Sequence, residues 1–465
     1  MLNPEIFREY DIRGIAAEDL HPEAVYILGL ATGEYFREHN ETKVLVGRDN
    51  RLSSDRIREN LVSGLTAAGC SVVDIGTVIT PLFYYSRILY NINAGLMITA
   101  SHNPAEFNGF KVALGPATIH GEEIQNLYKL AKKIDISQKI AVRSINPNLV
   151  EYKDPVNDYL DMLSEKLKLG AKRLKVVVDC GNGTASLFAE KFLIDLGCEI
   201  IPLFCESDGS FPNHHPDPVS SANLQILKKV VLENKADVGI GFDGDGDRLG
   251  VVDDEGSIIW GDQLMVLYWR EILPKHPGTN CIVEVKCSQA LVEEIERLGG
   301  KPVMYKTGHS LIKAKMKELG AVFTGEMSGH MFFADEYFGF DDAFYASGRL
   351  LRILSNSKKS LSEMLSDVPK YFSTAETRVP CSDKDKFKVV KLFRDNFENT
   401  NTVIDIDGAR VLFDGGWGLV RASNTQPVIV ARCEGKTKED LEYISRTIKE
   451  GLLNFPQVGN FQWEY

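Results

Sequence analysis

The sequence predicts an α/β protein with three similar α/β domains followed by a smaller α+β domain at its C-terminal end. Short apolar runs alternate with longer amphipathic segments in three rounds, which is typical of parallel α/β units. The chain has 465 residues, more than a single core normally serves. The same alternation also fits one very large sheet, but the chain length favours separate domains.

The three rounds are defined by apolar runs that predict buried strands. These runs lie at residues 43–47, 71–75, 95–99, 174–179, 199–203, 238–242, 281–285, 302–305 and 321–323. Helix-period segments lie between them, for example at residues 54–68, 289–298 and 311–319. Ser53 or Ser54 is suited to cap the first of these helices.

The pattern changes after about residue 370. A helix is predicted at residues 386–397, three strands of a hairpin or meander lie between 409 and 433, and a long amphipathic helix spans 437–453. We therefore predict domains at residues 1–150, 151–255, 256–369 and 370–465.

Composition and charge argue against several classes of function. The formal net charge is −12 and no long basic run is present, which argues against nucleic acid or an anionic membrane as a partner. An acidic chain can still hold a basic pocket for an anionic small molecule. The 8 Cys are scattered without a C-x-x-C pair, no signal-peptide pattern begins the chain, and no apolar run is long enough to span a bilayer. We therefore expect a soluble cytoplasmic protein with reduced thiols.

Three carboxylates alternate with glycines in G-F-D-G-D-G-D-R, residues 241–248, directly after a predicted strand. Like charges this close are unfavourable unless a cation cancels them, and Mg²⁺ and Ca²⁺ prefer oxygen ligands. The spacing is similar to the start of an EF-hand loop, but Asp254 stands where that loop carries Glu, and a strand precedes it. Asp243, Asp245 and Asp247 are therefore candidate metal ligands. The alternative is a solvated acidic turn.

Two further loops carry polar groups suited to a ligand, one to the paired hydroxyls of a polyol and the other to a phosphate. Glu326 and Ser328 lie in G-E-M-S-G-H, residues 325–330, where a carboxylate can bind paired sugar hydroxyls. The stretch R-A-S-N-T-Q-P at residues 421–427 offers an Arg, two hydroxyls and an amide for a phosphate. The alternatives are an ordinary glycine-flanked turn and a polar hairpin turn, respectively.

Basic groups occur in two other places. The stretch R-E-Y-D-I-R-G lies at residues 8–14, and K-T-G-H-S lies at a predicted strand-to-helix turn, residues 306–310. The start of a helix with a Lys nearby attracts an anion. A lone His in such a turn, here His309, is more often a structural hydrogen-bonding group than a catalyst.

The predicted strand at residues 95–99 ends in T-A-S-H-N-P, residues 99–104. Asn and Pro suit a turn, and a Ser beside a His suits a nucleophile. The G-x-S-x-G elbow of hydrolases is absent. Because Ser101 shares the chain with a carboxylate cluster and several anion-type loops, we expect it to carry a phosphoryl group.

Together these motifs resemble the α-D-phosphohexomutase family, in order and over nearly the whole chain. The matching stretches are residues 8–14, 47–51 (G-R-D-N-R), 99–104, 243–248, 306–310, 325–330 and 421–427. Within the family, Met327 favours the bacterial phosphomannomutase/phosphoglucomutase branch, since phosphoglucosamine mutases usually carry Gln there. The resemblance implies four domains arranged around a central cleft.

The resemblance also implies roles for individual residues. Ser101 would be the phosphoserine, and Asp243, Asp245 and Asp247 would bind Mg²⁺ together with a phosphoserine oxygen. Arg248, Glu326 and Ser328 would contact the sugar. The implied phosphate-binding loop contains Arg421, Ser423, Asn424 and Thr425. Further implied cleft residues are Tyr10, Arg13, Lys111, Lys286, His309 and His330, of which Lys111, His309 and His330 are candidates for proton transfer or transition-state stabilisation.

The implied activity is that of an isomerase and phosphoprotein, interconverting hexose 1-phosphate and hexose 6-phosphate of mannose or glucose. A bound hexose 1,6-bisphosphate would be intermediate and activator. Sugar phosphates are then the expected partners of a chain that we take as a monomer. The alternatives are a phosphoglucosamine mutase, a strict phosphoglucomutase, a metal-dependent phosphatase and a non-catalytic sugar-phosphate sensor.

Overall fold

The computed structural model describes residues 2–134, 144–423 and 426–464. The chain folds into two compact units, Met1–Gly261 with Ser328–Met364, and Asp262–Met327 with Leu365–Tyr465. None of the helices in the described ranges combines the length and the apolar character needed to cross a bilayer. The four domain boundaries drawn from the sequence stay a prediction.

The first part of the chain forms a seven-stranded sheet in the order β1-β5-β4-β2-β3-β7, with β6 beside β5. Its strands are β1 (Ile12–Ile15), β2 (Lys43–Arg48), β3 (Ser71–Thr77), β4 (Ala94–Ile98), β5 (Phe107–Leu114), β6 (Ala117–Thr118) and β7 (Val150–Tyr152). Its helices are α1 (Pro22–Glu38), α2 (Ser54–Ala67), α3 (Thr80–Leu89) and α4 (Glu122–Lys133), with 3₁₀ turns at Pro4–Ile6 and Pro147–Leu149. Because β2, β3, β4 and β7 are parallel, the loops after β2 and β4 leave the sheet at one edge.

A five-stranded sheet follows in the order β12-β11-β10-β8-β9. Its strands are β8 (Lys175–Asp179), β9 (Glu199–Leu203), β10 (Val238–Phe242), β11 (Leu249–Val252) and β12 (Ile258–Ile259). Its helices are α5 (Val156–Lys166), α6 (Ala189–Asp195) and α7 (Gln225–Asn234), with a 3₁₀ turn at Thr184–Leu187. The strands β8, β9 and β10 are parallel, while β11 returns antiparallel to β10, so the acidic stretch at residues 243–248 is the connection between them.

The third part again alternates strands and helices, as predicted. Its elements are α8 (Gly261–Ile272), β13 (Asn280–Glu284), α9 (Gln289–Arg297), β14 (Lys301–Tyr305), α10 (His309–Leu319), β15 (Phe323–Gly325), β16 (Met331–Phe333), α11 (Ala343–Ser355) and α12 (Leu361–Leu365). The strands β13 and β14 are parallel. The strand predicted at 321–323 begins two residues late, because Gly320 ends α10 in a left-handed turn.

The last part is the predicted α+β region, an antiparallel sheet in the order β17-β22-β21-β20-β19, with β18 also paired to β22. Its elements are β17 (Phe372–Ser373), β18 (Thr377–Pro380), α13 (Lys386–Phe397), β19 (Val403–Ile404), β20 (Ala409–Phe413), β21 (Gly416–Ala422), β22 (Val428–Gly435) and α14 (Lys438–Leu453). Thr437 and Asp440 form a capping box that starts α14. The expected change of architecture is confirmed.

The expected serine cap of α2 is wrong. Among the described residues, the Ser53 side chain makes no capping bond to α2. Its hydroxyl instead accepts a hydrogen bond from Asn108 Nδ2 (2.9 Å), and Ser54 Oγ donates to Asp49 Oδ1 (2.5 Å). Both hydroxyls are used by side chains of the neighbouring loops.

Close helix packing supports the first sheet and gives a test of the fold. A methyl group added at Gly29 of α1 would overlap the Leu61 carbonyl of α2. Overpacking of this kind costs about 2 kcal/mol, so we expect Gly29→Ala to lower the midpoint of thermal unfolding clearly. The control is Glu59→Ala on the exposed side of α2, for which only a small shift is expected. An unchanged midpoint for Gly29→Ala would contradict this packing.

Candidate active site

Ser101 lies directly after β4 and is held in an unusual backbone conformation. Its φ is +51°, a left-handed value that costs a residue other than glycine on the order of 1–3 kcal/mol. The Ser101 N–H donates to Thr99 Oγ1 (2.9 Å), and the residue is only 3% exposed. The surrounding loop therefore holds the serine in a conformation that its own backbone preference opposes.

The hydroxyl of Ser101 points at the acidic loop. Ser101 Oγ donates to Asp243 Oδ2 (2.8 Å) and lies 3.1 Å from His102 Nδ1. Burial lowers the pKa of His102 well below its usual range, and the charges of Arg248 and Arg13 lower it further. The serine thus sits between a carboxylate and a neutral imidazole, both able to accept its proton.

The acidic loop joins β10 to β11 and brings three carboxylates together. Asp243, Asp245 and Asp247 are fully buried, and one oxygen of each lies within 4.8 Å of the others. Asp243 Oδ1 accepts the N–H groups of Asp247 (3.0 Å) and Arg248 (3.1 Å), which closes the loop. Gly244 has no side chain because a Cβ there would overlap the Ser101 carbonyl oxygen. The solvated-turn alternative is therefore wrong.

Lys111 supplies a buried positive charge to this loop. It lies on β5 opposite Met97 of β4, and its Nζ donates to Asp245 Oδ2 (3.0 Å) and to Asp247 Oδ2. Burial opposes the charged form of Lys111, but the carboxylates of Asp245 and Asp247 outweigh burial and raise its pKa well above the usual range.

The two carboxyl groups at the ends of the triad respond in opposite ways. Burial raises the pKa of Asp243 well above its usual range, and the charges of Asp247 and Asp245 add to this. Burial also opposes ionisation of Asp247, but the Lys111 ammonium and His330 outweigh it and hold the pKa of Asp247 well below its usual range. The loop therefore needs positive charge to keep all its carboxylates ionised.

The donor set fits a hard divalent cation. Asp245 Oδ2 accepts from Thr80 Oγ1 (2.7 Å), Thr99 Oγ1 (3.2 Å) and Lys111. Its other oxygen, Oδ1, is buried and accepts no hydrogen bond from any described residue. Converging carboxylate oxygens, one of them unused, are the ligands that Mg²⁺ prefers.

Several other predicted residues of the first unit contact the acidic loop or the loop of Ser101. His330 Nε2 lies 3.2 Å from Asp247 Oδ1 and accepts from Arg248 Nε (3.3 Å), and its Nδ1 lies 3.1 Å from Ser328 Oγ. Arg13 NH1 donates to Asn103 Oδ1 (2.7 Å) on the loop of Ser101. Tyr10 is half-buried in the bend before β1.

The second unit carries its own group of predicted residues around Glu284, at the end of β13. Glu284 is fully buried and accepts from Thr307 Oγ1 and from the N–H of Met327 (3.3 Å). Burial raises the pKa of Glu284. Lys286 Nζ lies 3.8 Å from Glu284 and donates to Glu376 (3.0 Å). Burial opposes the charged form of Lys286, but these two carboxylates outweigh it and raise the pKa of the lysine.

Glu326 connects the two loops of this unit. Its Oε1 accepts the N–H of Gly308 (2.7 Å), and Glu326 is only 2% exposed. The half-buried His309 begins α10 immediately after Gly308. Residues 325–327 of the sugar-type loop and the loop at residues 306–310 are therefore held together within this unit.

Part of the predicted phosphate loop lies between β21 and β22. Arg421 Nε donates to Asp407 Oδ2 (2.9 Å), which also accepts the N–H of Thr307 (3.1 Å). Ser423 Oγ accepts the N–H of Gln426 (3.1 Å). Asn424 and Thr425 lie outside the described residues.

Sequence reasoning did not select several residues that the structure brings to these groups. His102, Glu284, Asp407 and Asp341 are examples, and Asp341 Oδ2 lies 4.0 Å from His330 Nε2. The sequence pointed to His102 only as the histidine beside Ser101 and gave that residue no role of its own. Glu284 is one polar residue at the end of a predicted strand, and no local pattern in the sequence marks it as a functional residue.

Comparisons with known proteins agree over the whole chain. Family models match as phosphoglucomutase/phosphomannomutase domain I at residues 4–138, domain II at 157–256, domain III at 260–372 and the C-terminal domain at 376–450. The chain is 44% identical over 453 residues to a phosphomannomutase/phosphoglucomutase of Pseudomonas putida, covering 97% of this chain and 96% of the relative. It is 40% identical to a phosphoglucomutase of Neisseria meningitidis, covering 98% of each.

A solved structure gives the same result for the fold. The crystal structure of a phosphoglucomutase/phosphomannomutase family protein from Burkholderia thailandensis matches with a TM-score of 0.89 at 39% identity, covering 98% of each chain. The predicted four-domain architecture is thereby confirmed.

The charge balance of the acidic loop gives a stability test. Lys111→Met leaves the buried carboxylates of Asp245 and Asp247 without their ammonium partner, and breaking a buried pair costs about 3–5 kcal/mol. We expect a strongly lowered unfolding midpoint in EDTA and a larger gain on adding Mg²⁺ than in the wild type. Lys191→Met, which removes an exposed pair with Asp195, is the control. Equal midpoints of Lys111→Met and wild type in EDTA would disprove the assigned role of Lys111.

Proposed function

The chain belongs to the phosphoglucomutase/phosphomannomutase family and is a mutase that interconverts hexose phosphates, and we propose that Ser101 carries the phosphoryl group between C1 and C6 of mannose or glucose. The observation that supports Ser101 most directly is its position. A buried hydroxyl 2.8 Å from a buried carboxylate triad has little use in structure alone. The same place suits a phosphoryl carrier with a cation beside it.

Two transfers make up the proposed reaction. The phosphoryl group of phosphoserine 101 passes to the 6-hydroxyl of hexose 1-phosphate, giving hexose 1,6-bisphosphate and free Ser101. The bisphosphate then presents its C1 phosphate, which returns to Ser101 and releases hexose 6-phosphate. Each step breaks one P–O bond and forms another, so no further reactant is needed.

Asp243, Asp245 and Asp247 are proposed to bind Mg²⁺, which when bound neutralises phosphoryl charge as a Lewis acid. Lys111 lies on the same carboxylates and supplies a charge-assisted donor close to Ser101. Arg13 reaches the Ser101 loop through Asn103 and would bind a phosphate oxygen there.

Proton transfer to and from the sugar hydroxyl has three candidates, Lys111, His309 and His330. His330 contacts Asp247 and Arg248, which places an imidazole at the acidic loop. His102, 3.1 Å from Ser101 Oγ, joins them as a group able to exchange the serine proton.

The remaining residues are proposed to bind the sugar phosphate. Glu326 and Ser328 would hold ring hydroxyls, since a carboxylate and a hydroxyl match a diol. The groups proposed for the phosphate that is not being transferred, and for other substrate contacts, are Tyr10, Arg248, Lys286, Arg421, Ser423, Asn424 and Thr425. Because Glu326 would read hydroxyls that mannose and glucose share, we expect activity on both.

Location and assembly are also proposals. We place the enzyme in the cytoplasm as a monomer, with sugar phosphates and hexose 1,6-bisphosphate as its ligands and without nucleic acid or membrane as partners. The eight cysteines are free thiols in the structure, which suits a reducing compartment.

The central test replaces Ser101. We expect wild type to carry a phosphoryl-sized mass excess and to form 6-phosphate from mannose 1-phosphate and from glucose 1-phosphate with Mg²⁺ and a trace of glucose 1,6-bisphosphate. Ser101→Ala should lose both the mass excess and at least about 10³-fold in rate, because the group carrier is gone. Intact mass and a coupled assay measure the two effects.

The matched control is Ser86→Ala, a buried serine whose hydroxyl donates to Leu82 O within α3. It should keep both the mass excess and the rate. Full activity of Ser101→Ala would refute the proposed carrier. Activity of the wild type only on glucosamine 1-phosphate would favour a phosphoglucosamine mutase, and release of inorganic phosphate would favour a phosphatase.

The proposed sugar contact of Glu326 has a separate test. Glu326→Gln keeps the size of the side chain but removes the charge that strengthens hydrogen bonds to hydroxyls, so kcat/KM should fall by about 10–100-fold. The phosphoryl group on Ser101 should remain. Glu318→Gln, an exposed glutamate on α10, is the control. An unchanged kcat/KM for Glu326→Gln would argue that this carboxylate only braces Gly308.

A further inference from the structure

The motif G-R-D-N-R at residues 47–51 has no part in the chemistry above, yet it lies beside Ser101. Arg48 ends β2 opposite Ile98 of β4, so both chains leave the sheet at the same edge. The N–H of Asp49 donates to the Ile98 carbonyl (2.9 Å) just before the loop of Ser101 begins.

All five N–H donors of the Arg51 guanidinium make hydrogen bonds, four to backbone carbonyls and one to the carboxylate of Asp49. Its NH2 donates to the carbonyls of Ser101 (2.7 Å) and Asn103 (2.6 Å), and its NH1 to those of Pro104 (2.6 Å) and Phe107 (3.1 Å). The fifth donor, Nε, binds Asp49 Oδ2 (3.1 Å). Three carbonyls of the serine loop and that of Phe107, the first residue of β5, therefore converge on one planar group.

The surroundings of Arg51 keep this group in one orientation. Its side chain is 1% exposed, and Asp49 also accepts the Arg51 N–H (3.1 Å). The guanidinium carbon lies 5.1 Å from the centre of the Phe211 ring, which covers it. A buried, fully bonded guanidinium has little freedom to move, so the loop bonded to it has little freedom as well.

Asn50 makes hydrogen bonds of its own on the side of the acidic loop. Its N–H donates to Thr184 Oγ1 (3.0 Å), and its Nδ2 to the Asn182 carbonyl (2.8 Å) and Ser207 Oγ (2.9 Å). The N–H of Thr184 in turn donates to the carbonyl of Gly244 (2.9 Å), within the carboxylate loop. Consecutive residues thus hold the serine loop on one side and the acidic loop on the other.

We propose that Arg51 and Asn50 are positioning residues for phosphoryl transfer, Arg51 by holding the left-handed backbone at Ser101 and Asn50 by setting the carboxylate loop against it. The inference rests on the proposed role of Ser101. Arg51 is not catalytic, since its donors go to backbone carbonyls and Asp49 rather than to the hydroxyl. Its effect should therefore appear in the rate of transfer and much less in substrate affinity.

The test is single-turnover phosphorylation of unphosphorylated enzyme by glucose 1,6-bisphosphate, followed by intact mass. Arg51→Lys keeps the charge, but an ammonium has three donors and cannot match the planar fork. We expect the rate of gain of the phosphoryl group to fall by about 10–100-fold, because small displacements of reacting groups have effects of this size. The KM for hexose 1-phosphate should change far less than kcat.

Arg87→Lys is the matched control. Arg87 is also a buried arginine of the first sheet region that donates to carbonyls, those of Asn93 and Gly115, away from the serine loop. It should lower the unfolding midpoint about as much as Arg51→Lys while leaving the phosphorylation rate at the wild-type value. Wild-type phosphorylation of a folded Arg51→Lys would overturn the proposal.

A second variant covers the case in which Arg51→Lys does not fold. Asn50→Ala removes a half-buried side chain and should slow phosphorylation of Ser101 with a native-like midpoint. A wild-type rate for folded Asn50→Ala would then overturn the proposal. If wild type itself gains no phosphoryl group at Ser101, both the proposed function and this inference fail. The wild-type measurement therefore distinguishes failure of the proposed function from failure of the positioning role alone.

Discussion

Three buried carboxylates in one loop form the constraint on which the first unit depends. Asp243, Asp245 and Asp247 are fully buried in the short connection between β10 and β11, and burial together with the charges of Asp247 and Asp245 raises the pKa of Asp243 well above its usual range. Lys111, which lies on the neighbouring sheet, donates to Asp245 and Asp247 and supplies a compensating positive charge. A divalent cation would bind the remaining oxygens, among them Asp245 Oδ1, which accepts no hydrogen bond from any described residue. The positive charge that keeps Asp247 ionised therefore lies at the same loop whose Asp243 accepts the hydrogen bond of Ser101 Oγ.

In the second unit, too, buried carboxylates lie beside a buried lysine and hydrogen-bond donors. Glu284 is fully buried and Glu326 nearly so, and Glu284 is stabilised by Lys286 and by donors from the neighbouring loops. Arg421 is anchored on Asp407, which also holds the loop of Thr307. In both units, ionisable side chains are placed by hydrogen bonds and ion pairs to neighbouring loops and strands. Such placement lets a site bind an anion without large rearrangement of its own charges.

The features that depend on residues close together in the chain are the ones that could be predicted from the sequence. The alternation of strands and helices, the change near residue 370 and the acidic loop all follow from short-range patterns, and the structure confirms them. Contacts between distant residues do not follow in this way. Lys111 is more than 130 residues from the aspartates it binds, and the carbonyls that Arg51 holds have no side-chain pattern at all. Lys111 entered the prediction through family resemblance alone, and Arg51 entered only as part of a matching motif without a role.

Burial of Ser101 also bears on the choice between transfer and hydrolysis. The serine is 3% exposed, the triad is fully buried, and His102 and Asp243 occupy the surroundings of the hydroxyl. A phosphatase must admit water to the phosphoryl group, whereas a mutase must keep water out for as long as the group is on the serine. The left-handed backbone at Ser101 adds a second condition, because a strained loop persists only where its neighbours hold it. Arg51 meets that condition through carbonyl contacts rather than through the hydroxyl, so it can hold the loop while Ser101 Oγ keeps its contacts with Asp243 and His102.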